Sequence, residues 1–352
     1  MTDLVIHIGL PKTGTTTIQH RCLAGEPHFL GKDKSAPGRW HAEHPVRALR
    51  ERVFHYYFGS EGDATASAEA WIERVRQLPA LREDPSSVII SDEVLAWWPT
   101  DPFFTTTEAF RRSSLRRAGV ERHPVPPVAA YLRDVLRSAW RFGSIRVLLT
   151  VRSQPEWLAS LYAQVSGLIR NAGTADFERQ VRSLMEHGDP YIDWHCWAEH
   201  LERAVGPGRV QVLATENMGS SAFWQELGRF LGVATEQTAP AAAANVRRTS
   251  ADPGWSLKKL NAIKILERDW PPAQRARMRR LALGAMRGTR PVWGRPLRGL
   301  VDRRRERQVC LRSELREEIL AYVAPSNQRL AARFGLDLGS HGYLPTGMAD
   351  MA

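Results

Sequence analysis

The chain has 352 residues, enough for a sizeable core, and its 43% hydrophobic and 25% charged residues exclude a disordered chain. A formal net charge of +11 favours an anionic ligand or partner. Three cysteines, Cys22, Cys196 and Cys310, stand singly, which excludes a paired disulfide framework or a cysteine metal spacing and fits reduced thiols in a cytoplasmic protein.

The first element is an apolar run, LVIHI at 4–8, followed by a loop of Gly, Pro, Lys and Thr and a helical pattern at 15–24. A second helical pattern at 68–78 precedes a β-branched run, SVIIS at 87–91. Residues 99–127, rich in Pro, Thr, Arg and Ser, read as an excursion over the sheet. Two further apolar runs, 145–151 and 209–215, are followed by helices at 154–165 and 222–233. Continuous apolar strands alternating with amphipathic helices predict an α/β protein, a three-layer sandwich around a central parallel sheet. Residues 234–254 read as a loop crossing back over the site. After them comes a helical, Arg-rich part at about 255–320, with twelve arginines between Arg275 and Arg307. No repeat or linker interrupts the chain, so a single domain over 1–352 is expected. The strand pattern begins at Leu4 without a basic leader, and no window reaches the roughly 18 apolar residues of a membrane helix. A cytoplasmic location follows as the expectation.

The loop GLPKTGTTTIQ at 9–19 sits between a strand and a helix, where unpaired N–H groups and the helix dipole form an anion site. Gly9 and Gly14 have the spacing of the Walker A loop, but Thr15 stands where that loop has its lysine, and the lysine has moved inside as Lys12. A lysine there sits beside a group attached to the first phosphate, and Thr15, Thr16 and Thr17 offer hydroxyls to a single 5′-phosphate. The stretch resembles the 5′-phosphosulfate loop of the sulfotransferases that use 3′-phosphoadenosine 5′-phosphosulfate (PAPS). The resemblance implies a P-loop-like fold and PAPS as co-substrate. It assigns the phosphosulfate contact to Lys12 and the 5′-phosphate to Thr13, Gly14, Thr15 and Thr16, with Thr17 as a further contact. Cytosolic members carry an adenine-stacking tryptophan after the two threonines, where this chain has Thr17.

The family's second signature is an arginine ending a buried strand and a serine eight residues on, both at the 3′-phosphate. VRSQPEWLAS at 151–160 has that layout, with Arg152 and Ser160 in the two places. NVRRTS at 245–250 stands where the family returns a basic segment, which assigns Arg247 or Arg248 to the same phosphate. PSNQRLAARFGLDL at 325–338 is similar to the ending of many bacterial members.

Sulfuryl transfer is an in-line displacement that needs a base for the acceptor hydroxyl and charge stabilisation of the leaving phosphate. No metal is required for this, since Lys12 and the helix N-terminus can supply the charge. Asp92 and Glu93 end the run SVIISDE at the carboxyl end of a strand, where ligands gather in open sheets. By the family pattern Glu93 is the base, with Asp92 behind it; the two acids could also simply cap the next helix. His41, His44 and His55 are alternative bases. Trp40, Tyr56, Tyr57, Trp97 and Trp98 could line a pocket for a sugar or small-molecule hydroxyl. Two rival readings stand. VIISDE also reads as a Walker B strand of a Mg-ATP kinase or ATPase, and the charge alone would suit a non-enzymatic polyanion binder. No nucleic-acid motif is visible, so no nucleic-acid partner is expected. The basic C-terminal part suits an acidic acceptor or peripheral contact with an anionic membrane.

Overall fold

A computed structural model describes residues 2–23, 26, 28–31, 45–57, 63–78, 86–93, 95, 103, 126–141, 143–169, 171–233, 254–258 and 306–347. Five parallel strands, β1 (Asp3–Gly9), β2 (Phe29–Leu30), β3 (Ser87–Ser91), β4 (Ile145–Val151) and β5 (Val210–Ala214), form one sheet in the order β2-β3-β1-β4-β5. All four apolar runs are strands of this sheet. The two-residue β2 has too little pattern to be read in advance. The helices are α1 (Thr15–Ile18, continued by a π-turn Gln19–Leu23), α2 (Pro45–Tyr57), α3 (Ala64–Arg76), α4 (Pro127–Tyr131, continued by a π-turn), α5 (Gln154–Val165), α6 (Thr174–Glu186), α7 (Trp194–Val205), α8 (Ser221–Leu231) and α9 (Ser313–Phe334).

Strand alternation divides these between two faces. Leu4, Ile6 and Ile8 of β1 and Val147, Leu149 and Val151 of β4 join a large core with α2 to α7 and α9. Val5, Ile89, Leu148 and Leu213 point the other way, into a smaller core closed by α1 and α8. The three-layer α/β sandwich is therefore present, one cover thick and one thin.

After β1 the chain builds β2 and β3 on one side and then crosses to β4 on the other. That reversal opens a crevice beyond the carboxyl ends of β1 and β4, the usual ligand position in such sheets. Residues 259–305 of the Arg-rich part lie outside the described residues; at its flanks β6 (Gly254–Ser256) and β7 (Gln308–Cys310) form an antiparallel ribbon, with Trp255 opposite Val309. A buried Trp255 and Val309, both in the large core, override the helical reading at those two short stretches, while residues 313–320 belong to helix α9.

Candidate functional site

The turn between β1 and α1 is fixed from inside. Thr13 is fully buried; its N–H and its hydroxyl both donate to Leu10 O, at 3.1 and 2.6 Å. Thr13, counted in the sequence among the phosphate-holding residues, thus turns its side chain inward. Lys12 has φ 72° and Gly14 φ 72°, two left-handed residues that bend the chain around a concavity. Glycine relieves the strain at 14, and a Cβ there would also overlap the methyl group of Met218.

Thr17 and Ile18 donate to Gly14 O, at 2.8 and 3.1 Å, whereas the N–H groups of Gly14, Thr15 and Thr16 have no partner among the described residues. Thr15 Oγ1 is buried and likewise has no partner among the described residues. It lies so close to the backbone of β1 that a Cβ on Gly9 would overlap it. An orphaned hydroxyl beside three free amides is costly unless a ligand completes it, and it fits a phosphate group. Thr16 is exposed and Thr17 partly so, both on the same first turn.

Across the crevice, Arg152 follows β4 and donates from Nη1 to Lys12 O at 3.4 Å. Partial burial lowers the Lys12 pKa; Lys258 lowers it further, Glu93 opposes and Arg152 adds to the lowering. The charges that act on Lys12 among the described residues are thus two cations, Lys258 and Arg152, and one carboxylate, Glu93. Lys258 was not legible as a site residue: it follows β6, and its N–H is held by the hydroxyl of Ser166, at 2.8 Å, beyond the end of α5. Arg247 and Arg248 lie outside the described residues, ten or so positions before it. Ser160 sits two turns into α5, partly exposed.

The two acids after β3 separate. Asp92, 1% exposed, accepts from Nε and Nη2 of Arg50 on α2, at 3.1 and 2.8 Å. Glu93 is half-buried and carries the carboxylate that favours the charged form of Lys12. Among the other candidates, His55 is exposed on α2, and Tyr56 spends its hydroxyl on Asp134 at 2.8 Å. Tyr57 ends α2, while His41, His44, Trp40, Trp97 and Trp98 lie outside the described residues.

Distant residues brace the β4 side. Trp157 Nε1 donates to Pro11 O and Trp194 Nε1 to Arg152 O, both at 2.9 Å. Their rings meet edge-to-face at 4.8 Å, so one aromatic pair sets the spacing of both ligand-facing segments. Glu216 accepts from Ser153 N–H at 3.0 Å and from Tyr343 hydroxyl at 2.6 Å. Burial raises the Glu216 pKa, opposed by those hydrogen bonds and by the charge of Arg152. Gln154 and Asn327 exchange amide hydrogen bonds at 2.8 and 3.1 Å, and Ser153 hydroxyl donates to Gly342 O at 2.9 Å. The motif at 325–338 thus works as a clasp on the start of α5.

Among the described residues no helix is long and apolar enough to cross a membrane, and no group of acidic, histidine or cysteine residues is spaced to hold a metal. No family model matches the chain, and no curated protein does. Among solved structures, the chain is similar to a sulfotransferase from Alicyclobacillus acidocaldarius, with 14% identity over 97% of this chain and 98% of that one and a TM-score of 0.42.

Proposed function

We propose that this protein is a PAPS-dependent sulfotransferase that moves a sulfonate to a hydroxyl, with an amine as the less favoured acceptor, of a carbohydrate or small molecule. The observation that carries this reading is the pairing of a glycine-turned loop, with Lys12 inside it and an orphaned Thr15 hydroxyl, with Arg152 at the adjacent strand end. One phosphate on the loop and a second at the arginine match a nucleotide with separate 5′ and 3′ groups better than a linear triphosphate.

The co-substrate supplies an activated sulfonate. In this reading the free amides of Gly14, Thr15 and Thr16 and the Thr15 and Thr16 hydroxyls hold the 5′-phosphate, with Thr17 beside them. Arg152 and Ser160 hold the 3′-phosphate, the arginine through its fork of donors, and Arg247 or Arg248 returns to it. Lys12 neutralises charge that grows on the leaving phosphate; its pKa is lowered first by partial burial and then by the neighbouring cations Lys258 and Arg152. Glu93 takes the acceptor proton. Asp92 is unsuited to that role, because Arg50 and burial hold it as a structural anion.

The same pairing weighs against the Mg-ATP rival, which needs the strand-end aspartate for a metal shell rather than for an arginine. The bonds that tie Ser153 to Gly342, Gln154 to Asn327 and Arg152 to the N-terminal loop support a one-domain reading. A cytoplasmic setting and the lack of a nucleic-acid partner stay part of this proposal, as does contact of the basic part with an anionic membrane.

Calorimetric titration with 3′-phosphoadenosine 5′-phosphate (PAP), beside ATP with Mg²⁺, tests it. Tight PAP binding with weak ATP binding is expected and would license an acceptor screen. Magnesium-dependent ATP binding without response to PAP would replace the reading with the kinase one.

A further inference from the structure

His7, between Ile6 and Ile8 in the middle strand, is fully buried and faces away from the crevice. Strand alternation puts it on the thin face with Ser91 and Thr150, the polar residues at the ends of β3 and β4. These polar groups form one chain of hydrogen bonds. Gln19 Nε2 reaches Ser91 O and Oγ, both at 3.0 Å; Ser91 Oγ lies 2.8 Å from His7 Nδ1. His7 Nε2 lies 3.3 Å from Thr150 Oγ1, which lies 3.0 Å from Thr13 Oγ1.

The direction of every bond follows from the two ends. Thr13 has one hydroxyl hydrogen and gives it to Leu10 O, so it must accept from Thr150. Thr150 has then spent its hydrogen and accepts from His7 Nε2–H. At the other end, the Ser91 carbonyl can only accept, which fixes the Gln19 amide nitrogen toward it and onto Ser91 Oγ. Ser91 hydroxyl therefore donates to His7 Nδ1. Each member is satisfied in one arrangement only, with a neutral imidazole whose hydrogen is on Nε2. Burial, which lowers the His7 pKa to about 3, agrees with this neutral state.

We propose that His7 is a positioning residue, a neutral Nε2–H imidazole that ties the anion-receiving turn at Leu10–Thr13 to the strand end carrying Asp92 and Glu93. Its main chain serves the same junction, since His7 O accepts from Asp92 N–H at 3.4 Å. The turn holds Lys12 in its left-handed conformation, and the far end of the chain sets where Glu93 begins. A fixed gap between the two is what a transfer reaction between them requires. The part of this inference that concerns nucleotide binding rests on the sulfotransferase reading.

Two-bond ¹H–¹⁵N spectra of protein labelled at histidine report the tautomer whatever the nucleotide. A neutral ring with hydrogen on Nε2, unchanged from about pH 7 to about pH 5 while exposed histidines titrate, is expected. A ring with hydrogen on Nδ1, or one that becomes cationic in that range, overturns the proposal. His7→Gln keeps a donor long enough for Thr150, whereas His7→Asn keeps only the shorter arm toward Ser91. His7→Asn should speed hydrogen exchange at the protected amides of Thr13, Thr17 and Ile18 about tenfold and weaken PAP binding about tenfold, the worth of one buried hydrogen bond. His7→Gln should stay within about threefold of the original protein on both measures, and amides in α7 and α9 should not change in either variant. Exchange that rises equally in the loop, α7 and α9 would reduce His7 to a general stability element, and equal loop behaviour in the two variants would also sink the proposal. Should His7→Asn fail to fold, Thr150→Val cuts the chain one link further and should give the same loop-restricted effect. If the original protein does not bind PAP, the sulfotransferase reading falls, while the tautomer and the exchange pattern still decide the role of His7.

Discussion

The two strand ends to which the proposed function assigns phosphates are built in opposite ways. At β1 the donors are mostly backbone amides, and the conformation that aims them is set within a few residues by Lys12, Thr13 and Gly14. At β4 the donor is a long side chain, Arg152, whose backbone is held by Trp194, with Glu216, Gly342 and Asn327 gripping the two residues after it and Tyr343 holding Glu216. A backbone cradle needs the right turn; a side-chain fork needs a rigid platform. The difference implies that the first should fail through local chemistry and the second through distant packing.

Lys12→Ala breaks the first side most sharply. It should lower sulfonate transfer, measured with an acceptor found by screening, on the order of a hundred- to a thousandfold, because it removes one charge from the growing anion. The melting temperature should hold, since the lysine reaches solvent. Arg152→Ala breaks the second side. PAP affinity should drop roughly ten- to a hundredfold while AMP affinity barely changes, as calorimetry would show; equal losses would contradict the 3′-phosphate assignment.

Acid probes the support beneath the first side. His7 carries an ordinary pKa of 6.5 in the unfolded chain and about 3 in the fold. Between those values the unfolded chain binds the extra proton, so the stability from neutral His7 is full above about pH 6.5 and fades as pH falls toward about 3. Between pH 6.5 and 5 the loss is about 2 kcal/mol, and denaturant titrations of His7→Gln should lack that share. The smallest expected effect belongs to the far brace. Tyr343→Phe should cost about 1–2 kcal/mol by removing one donor from buried Glu216, and should loosen PAP binding without touching AMP.

The same contrast explains what could be read from the residues in order. The sheet and the loop were legible because their signals are local: apolar runs, a glycine turn, a lysine displaced into it. Arg152 and Lys12 do come together, the arginine donating to the lysine's carbonyl across two neighbouring strand ends. His7 was hidden inside an apolar run, although one signal was available: His7, Ser91 and Thr150 are lone polar residues near the ends of three strands. Thr13 looks like its neighbours in sequence and differs only in facing inward. Asp92 and Glu93 are adjacent, and only the position of Arg50 tells them apart. Lys258 and the clasp on Ser153 and Gln154 depend on pairings 92, 189 and 173 residues apart, for which no local pattern exists.

The place of β1 in the middle of the sheet also sets a timetable. Arg152 reaches Lys12 across 140 residues, and β1 pairs with β4 over a similar stretch. On a ribosome adding roughly 5–20 residues per second, the first strand waits on the order of ten seconds for that neighbour, and the clasp arrives later still. Until then β1 has only β3 beside it and its other edge stands open, so nascent chains of this protein should depend on holdase chaperones more than a fold with sequential strand pairing would.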